Sequence, residues 1–535
     1  MKEKHFKIIF IILVVLLLIS AIYIYVFKQS EDYIIASKVN SNKKESLISS
    51  DIRVGIIDFD NINPILSNNK NVQDVSRLVF DPLFTLAQDY KLEGVLAKEW
   101  SKIVDKTYII KLNENILWHD GNKFDSSDVI FTINMLKELK EHSIYYHNVK
   151  NISQVYQIDE YTIKIITDSN ISCFEYNLIF PIISSKYFSE ENLKKASKNI
   201  KPVGTGIFYI SDVNNKNILL KKSLKNAKAE KLKIETISLK LYSSLSTIIE
   251  AFKTEEIDIF TTSNKSVEEY LKNTRYNMSK YINREYNYLA LNCNSKILSN
   301  KEVRQAISYA INKENILKNT LNNEYEISNF PLDFGSFSYD ISNDIITYDT
   351  NKAKNILVEN GWKYSEEGWK KKVNNSNLKI ELDLIVNKNN VENEKVVNNI
   401  KEQLSLVGIL IHVKEVSNKE YNNYLENKNY DMIIANDTYS YSPSLEKYFK
   451  EDNLSNYTNK EINTLLKEAE LMSDENEIKQ KYTRINDIYN EQVPYISLYY
   501  YTNSIIYSPN LKGTITPNSY NLFYGIENWY REYQK

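Results

Sequence analysis

Leu378-Lys379-Ile380-Glu381-Leu382-Asp383-Leu384 alternates apolar and polar side chains, the period of a strand with one face buried. Val396, Val397, Ile400, Leu404 and Val407 then recur at helical spacing, and Gly408 supplies a stop. Ile409, Ile411 and Val413 alternate again as a second strand. Strand, helix and strand in that order call for a right-handed crossover and parallel strands, the unit of an α/β protein. Residues 430–435 make a further short strand. The loop from Asn436 to Pro443 would therefore leave a strand's carboxyl end, where open α/β sheets bind ligands.

Short strands alternate with amphipathic helices across the chain beyond Asp51. Ser299 and Glu302 have the spacing of a capping box, followed by an apolar stripe of Val303, Ala306, Ile307, Ala310 and Ile311. Asp125 is placed to cap a helix that carries Val129, Ile133 and Leu136 inward. With 535 residues the chain exceeds what one hydrophobic core usually holds, so two or more lobes are expected. A hydrophobic share of 42% beside 25% charged residues is that of a folded globular protein. Lys+Arg 67 against Asp+Glu 69 leaves a formal charge of -2, no surplus with which to neutralise phosphates, and nucleic acid is not an expected partner.

Residues 8–27 form an apolar run interrupted only by Ser20, long enough at about 1.5 Å per residue to span a hydrocarbon core of roughly 30 Å. Lys2, Lys4 and Lys7 precede it, so the positive-inside bias leaves residues 1–7 as a cytoplasmic stub and all that follows outside. The run ends in Tyr23, Tyr25 and Phe27 without a small-residue exit, which favours an uncleaved single-pass anchor over a removed signal. Residues 28–50, rich in Ser, Lys and Asn, are expected to be a linker.

An enzyme should display a nucleophile with its base, a metal cluster or a phosphate-cradling loop. There is no GxSxG elbow and no GxxxxGK[ST], and Gly204-Thr205-Gly206 lacks the third glycine and lysine of a phosphate loop. His142 and His147, with Glu141, do not match the i, i+4 spacing of helical zinc ligands, and His119 precedes an Asp120-Gly121 turn signal. Cys173 and Cys293 stand far apart, supporting neither a disulfide scaffold nor a thiolate site. No cofactor and no catalytic residue is expected.

Taken in order, several segments resemble the family 5 extracellular solute-binding proteins, the oligopeptide, dipeptide and nickel receptors of ABC importers. They are Arg77-Leu78-Val79-Phe80-Asp81-Pro82-Leu83-Phe84, Leu96-Ala97-Lys98-Glu99-Trp100, Trp118-His119-Asp120-Gly121 with Ser127-Asp128-Val129, and Pro202-Val203-Gly204-Thr205-Gly206. Leu289-Ala290-Leu291-Asn292, Val303-Arg304-Gln305-Ala306-Ile307, Tyr309-Ala310-Ile311, Tyr348-Asp349, Gln403-Leu404, Gly408-Ile409 and Val493-Pro494 continue the series. The resemblance implies a two-lobed periplasmic-binding-protein-like fold (type II, cluster C) with an extra domain, closing around its ligand like a hinged trap. By analogy, lobe I takes residues 51–71, 201–284 and 493–535, the extra domain residues 72–200, and lobe II residues 285–492, with crossings near Arg284 and Val493.

In peptide-binding members a lobe II carboxylate pairs with the ligand's α-ammonium. Counting back from Pro443 puts Tyr439 where that Asp would be, with Asp437 two residues away as the candidate amine partner. Tyr439 and Tyr441 are candidate pocket walls, and Asp58 with Phe59, ending the first strand of lobe I, the candidate facing wall. The implied function is a monomeric, membrane-anchored extracytoplasmic receptor that captures peptides or similar small polar solutes for an ABC permease and ATPase. The alternatives are a membrane-anchored sensory receptor for a peptide signal and a secreted hydrolase.

Overall fold

The computed structural model describes residues 46–534 apart from 189–192, 194–196, 333–335, 337–345, 374–375 and 473. The expected stub and membrane span, residues 1–27, and most of the linker lie outside the described residues. Among the described residues no helix is long and apolar enough to cross a membrane. The end of the expected linker is a strand, Ser46–Ser49, which pairs antiparallel with residues 531–534 from Ser46↔Gln534 to Ser49↔Arg531. These two segments belong to one compact unit, and residues 50–530 form another.

An 11-stranded sheet runs through the larger unit. Its strands are β1 (Asp51–Ile57), β2 (Phe208–Asn214), β3 (Asn217–Lys222), β4 (Thr236–Tyr242), β5 (Ile259–Thr262), β6 (Asn277–Leu291), β7 (Tyr325–Ile327), β8 (Glu381–Asn387), β9 (Leu410–Val416), β10 (Met432–Thr438) and β11 (Tyr495–Tyr507). They lie in the order β9-β8-β10-β6-β11-β5-β1-β4-β3-β2, with β7 also on β11. Strands β9, β8 and β10 are mutually parallel, as are β5, β1 and β4, while the long strands β6 and β11 are antiparallel to each other between these two groups. A separate 4-stranded antiparallel sheet is built from Ala97–Val104, Thr107–Leu112, Thr162–Thr167 and Ile152–Asp159.

The helices follow from their buried stripes and their caps. Helix α1 (Lys70–Val79) is capped by Asn69 and buries Val72, Val75, Leu78 and Val79. Helix α2 (Ser126–Leu139) begins on the expected Asp125 cap, whose side chain accepts from Ser127 N while Asp128 closes a capping box, and Val129, Ile133 and Leu136 are fully buried. Helix α3 (Lys301–Ala310) buries the expected Val303, Ala306, Ile307 and Ala310, but the Ser299–Glu302 box does not form. Its N-cap is Asn300, one residue later, and Glu302 is drawn to Lys371 Nζ at 3.0 Å instead. Helix α4 (Val391–Leu406) crosses from β8 to β9 with Val396, Val397, Ile400 and Leu404 inward, and Gly408 follows at φ 80°.

Two strand boundaries differ from the sequence reading. The alternation at residues 378–384 spans two strands: Ser376–Lys379 pairs with Gly368–Val373, and β8 starts afresh at Glu381. The switch occurs at Ile380, whose N–H donates to Trp369 O at 3.0 Å. Strand β10 runs on to Thr438 because Asn436, Asp437 and Thr438 keep their places opposite Asn287, Tyr286 and Glu285 of β6. The expected loop from Asn436 therefore begins at Tyr439.

The pairing of β6 with β11 breaks between Ile282 and Tyr286, opposite residues 500–502, and slips again between Asn287 and Tyr288. Arg284 sits in the break at φ 70°. A non-glycine residue in the left-handed region costs roughly 1–2 kcal/mol, so the surroundings hold this kink in place.

Candidate functional site

The site begins on α1. With its apolar stripe turned inward, the remaining stripe of Lys70, Gln73, Asp74 and Arg77, spaced i, i+3, i+4 and i+7, lines a cavity of about 710 Å³. Facing it are Tyr281, Asn283, Arg284 and Glu285 from the kink of β6, and Thr438, Tyr439, Ser440 and Tyr441 from the exit of β10. Tyr145, His147, Asn148, Tyr176 and Ile179 supply another wall, and Asn503 and Ser519 complete it.

The wall is held by its own hydrogen bonds. Gln73 Nε2 donates to Pro64 O at 2.9 Å and Ser67 O at 2.6 Å, leaving its Oε1 to accept from Tyr145 OH. Lys70 pairs with Asp74 one turn along the helix. Tyr441 OH donates to Ser519 O at 2.8 Å, and Ser519 N–H donates to Tyr90 OH at 3.2 Å. Burial, with the charge of Asp74 adding to it, pushes the Tyr281 hydroxyl above the ordinary phenol range. Burial likewise raises Tyr145, although Arg77 nearby opposes the shift. These hydroxyls stay protonated at neutral pH, and the cavity offers donors, acceptors, ring faces and guanidinium groups.

The residues singled out in the sequence are distributed unevenly around this space. Tyr439 and Tyr441 line it, Tyr439 with its ring 5.1 Å from that of Tyr286 and its N–H donating to Arg284 O at 3.0 Å. Asp437, expected beside a ligand amine, lies off the cavity. It is a paired strand residue, and its carboxylate accepts from Tyr288 OH at 3.0 Å and Tyr448 OH at 3.2 Å and pairs with Lys447. Burial and then this carboxylate push both hydroxyls well above their ordinary value. Asp58 and Phe59 do not line the cavity either. Asp58 turns the chain at φ 47° after β1, its carboxylate accepting from Phe59 N at 2.7 Å.

His147 is a cavity residue, its Nε2 3.5 Å from an exposed Glu141 carboxylate. Among the described residues no group of three His, Cys, Asp or Glu side chains is arranged to hold a metal. His119 is structural: its Nε2 donates to Gly206 O at 2.9 Å and its Nδ1 accepts from Gly204 N at 3.3 Å. Cys173 and Cys293 are free thiols, pushed by burial up to about 12 and about 11, far from thiolate reactivity at neutral pH.

Comparison with known proteins shows the family. The family model described as "Bacterial extracellular solute-binding proteins, family 5 Middle" matches residues 91–456. The chain belongs to the family 5 solute-binding proteins. It is 23% identical to the oligopeptide-binding protein AppA of Bacillus subtilis, over 96% of this chain and 97% of AppA. It is 26% identical to the glutathione-binding protein GsiB of Pectobacterium atrosepticum, a match that covers 57% of this chain and 60% of GsiB. Among solved structures, the unliganded open form of the periplasmic murein tripeptide-binding protein MppA shares the fold, with a TM-score of 0.79 at 16% identity over 91% of this chain and 99% of MppA. The family is extracytoplasmic by its description, and these family 5 relatives are named as binding proteins rather than enzymes.

Arg77 and Arg284 were not recognised as site residues from sequence. The signal for Arg77 is in the helix: Lys70, Gln73, Asp74 and Arg77 form a polar stripe at helical spacing beside the apolar one, and a half-buried polar stripe must face water or a ligand. Arg284 had no such signal. Its place depends on the break in pairing between β6 and β11, which only the assembled sheet defines.

Proposed function

We propose that the chain is the extracytoplasmic ligand receptor of an ABC importer, a two-lobed trap of the type II, cluster C kind that captures a peptide or similar small polar solute and hands it unaltered to a permease. The observation that carries this is the cavity of about 710 Å³ at the point where β6 kinks and β10 ends. Its volume lies within the roughly 300–1,000 Å³ of ligand pockets, and its wall is made from segments far apart in the chain. Residues 51–71, 201–284 and the C-terminal segment make lobe I, residues 72–200 an extra domain, and lobe II starts at Glu285. We place the second crossing within β11 opposite Arg284, at Tyr501, rather than at Val493. Strand β11 pairs with β6 on both sides of that point, so both long strands pass from one group of parallel strands to the other there.

Capture shifts the molecule toward closure only insofar as ligand binds the closed form more tightly. AppA, GsiB and MppA, named for oligopeptide, glutathione and murein tripeptide, support a peptide class of ligand. The apolar run at residues 8–27 supports tethering at the outer membrane face. Native mass spectrometry of the purified full chain with a mixed short-peptide library tests the proposal. The expected result is retention of intact peptides at one per chain. No retention across the library, or recovery of cleaved products, contradicts it.

A further inference from the structure

Along the edge of β11 away from β6, two short strands follow one another with a gap between them. Residues 504–507 pair with β5 and residues 499–501 with β7, while Thr502 and Asn503 have no strand partner on that side among the described residues. Side chains from the two ends of the gap bridge it. Lys265, three residues past β5, donates from Nζ to Thr502 O and, at 3.0 Å, to Thr502 Oγ1, taking the place of the missing backbone donor. Thr502 Oγ1 in turn donates at 2.5 Å to the carbonyl of Glu324, the residue before β7. The Lys265 ammonium lies 4.7 Å from the centre of the Tyr325 ring, and Lys280 of β6 pairs with the Glu324 carboxylate at 2.8 Å. Burial pulls the Lys265 pKa down to about 8, with Glu324 and Glu392 opposing the fall, so the ammonium is charged at neutral pH. Tyr281 and Asn503, opposite one another in register, line the cavity. Their neighbours Lys280 and Thr502 alternate to the other face of the sheet, which puts the bridge behind the crossing as seen from the cavity. Bending toward the cavity about this point lengthens contacts on that far face.

We propose that Lys265 and Lys280 of lobe I, with Glu324 and Thr502, form a clasp across the back of the hinge that holds the lobes apart and yields when they shut on a ligand. This rests on the two-lobed reading above and adds to it a device that sets the balance between open and closed forms. A ligand's apparent affinity falls with the fraction of receptor in the form that binds it, so a weakened clasp means tighter capture.

Spin labels on Lys216→Cys, exposed in the turn between β2 and β3, and on Lys401→Cys, exposed on α4, read the separation of the lobes in the full chain, with and without a mixed short-peptide library. Lys265→Met, which keeps the stem and removes the ammonium, should shift the separation in the peptide-free chain in the direction in which the library shifts the parent. It should also tighten retained peptides about 10-fold, the scale of a lost charge-assisted hydrogen bond. Glu324→Gln, which cuts only the pair with Lys280, should tighten them about 2- to 3-fold, and Lys265→Arg, which keeps the charge, should stay closer to the parent than Lys265→Met. A separation in Lys265→Met identical to the parent's, or weaker peptide binding in either Lys265→Met or Glu324→Gln, overturns the clasp and leaves the receptor reading standing. A separation that shifts in Lys265→Met while neither parent nor variant retains any peptide supports the clasp and overturns the receptor reading.

Discussion

His119 shows how one side chain can serve the fold without serving the chemistry. Both ring nitrogens are committed to the turn at Gly204 and Gly206, one as donor and one as acceptor, which is the hydrogen-bonding pattern of a neutral imidazole. Burial holds its pKa below the ordinary 6.5. The folded state therefore favours the neutral ring, and the stability it supplies is full above the unfolded value of 6.5 and lost as pH falls below it. Urea denaturation at several pH values should show His119→Gln less stable than the parent by about 1–2 kcal/mol near neutrality, the gap closing in acid. A gap that widens in acid would reverse the sign argued here. Asp437 gives a second test at this scale. Asp437→Asn should cost stability, through Lys447 and the two tyrosines, yet leave the affinity for any retained peptide within about 2-fold, as titration calorimetry would register.

The elements that build the cavity depend on a few close approaches. A Cβ on Gly206 would lie 2.5 Å from Leu78 O and one on Gly204 1.8 Å from Val79 O, both backbone atoms at the end of α1. Gly206→Ala should cost about 3 kcal/mol in thermal or chemical denaturation and, by displacing α1 and with it Arg77, weaken ligand binding as well. Stability unchanged within experimental error would mean that α1 is not fixed by this turn. Asp125→Ala, which removes the cap of α2 at a residue that does not line the cavity, should cost about 1 kcal/mol and leave binding unchanged. Elements of this kind were legible in the sequence where their signals are local: the crossover through α4, the Asp125 cap and the apolar stripe of α3 all follow from spacing alone. Boundaries that depend on a partner strand were not. Asp437 looks like a loop residue until β6 is set beside it, and residues 378–384 read as one strand until the strand Gly368–Val373 takes the first part.

Over the whole molecule, the fold class was readable from periodicity and family resemblance, and two of the five expected ligand contacts, Tyr439 and Tyr441, line the cavity. The arginines were missed because their meeting is a property of the assembled sheet: α1, the kink of β6 and the segment carrying Ser519 and Tyr520 come together there from residues more than 400 positions apart. The central claim is that this cavity, and no reactive group, is what the molecule contributes. A crystal structure of the full chain with a peptide retained from the library is its most direct test. The account predicts an uncleaved ligand lying in this cavity, against Tyr439 and Tyr441. A ligand seated instead beside Asp437 and Lys447, with the cavity left empty, would contradict it.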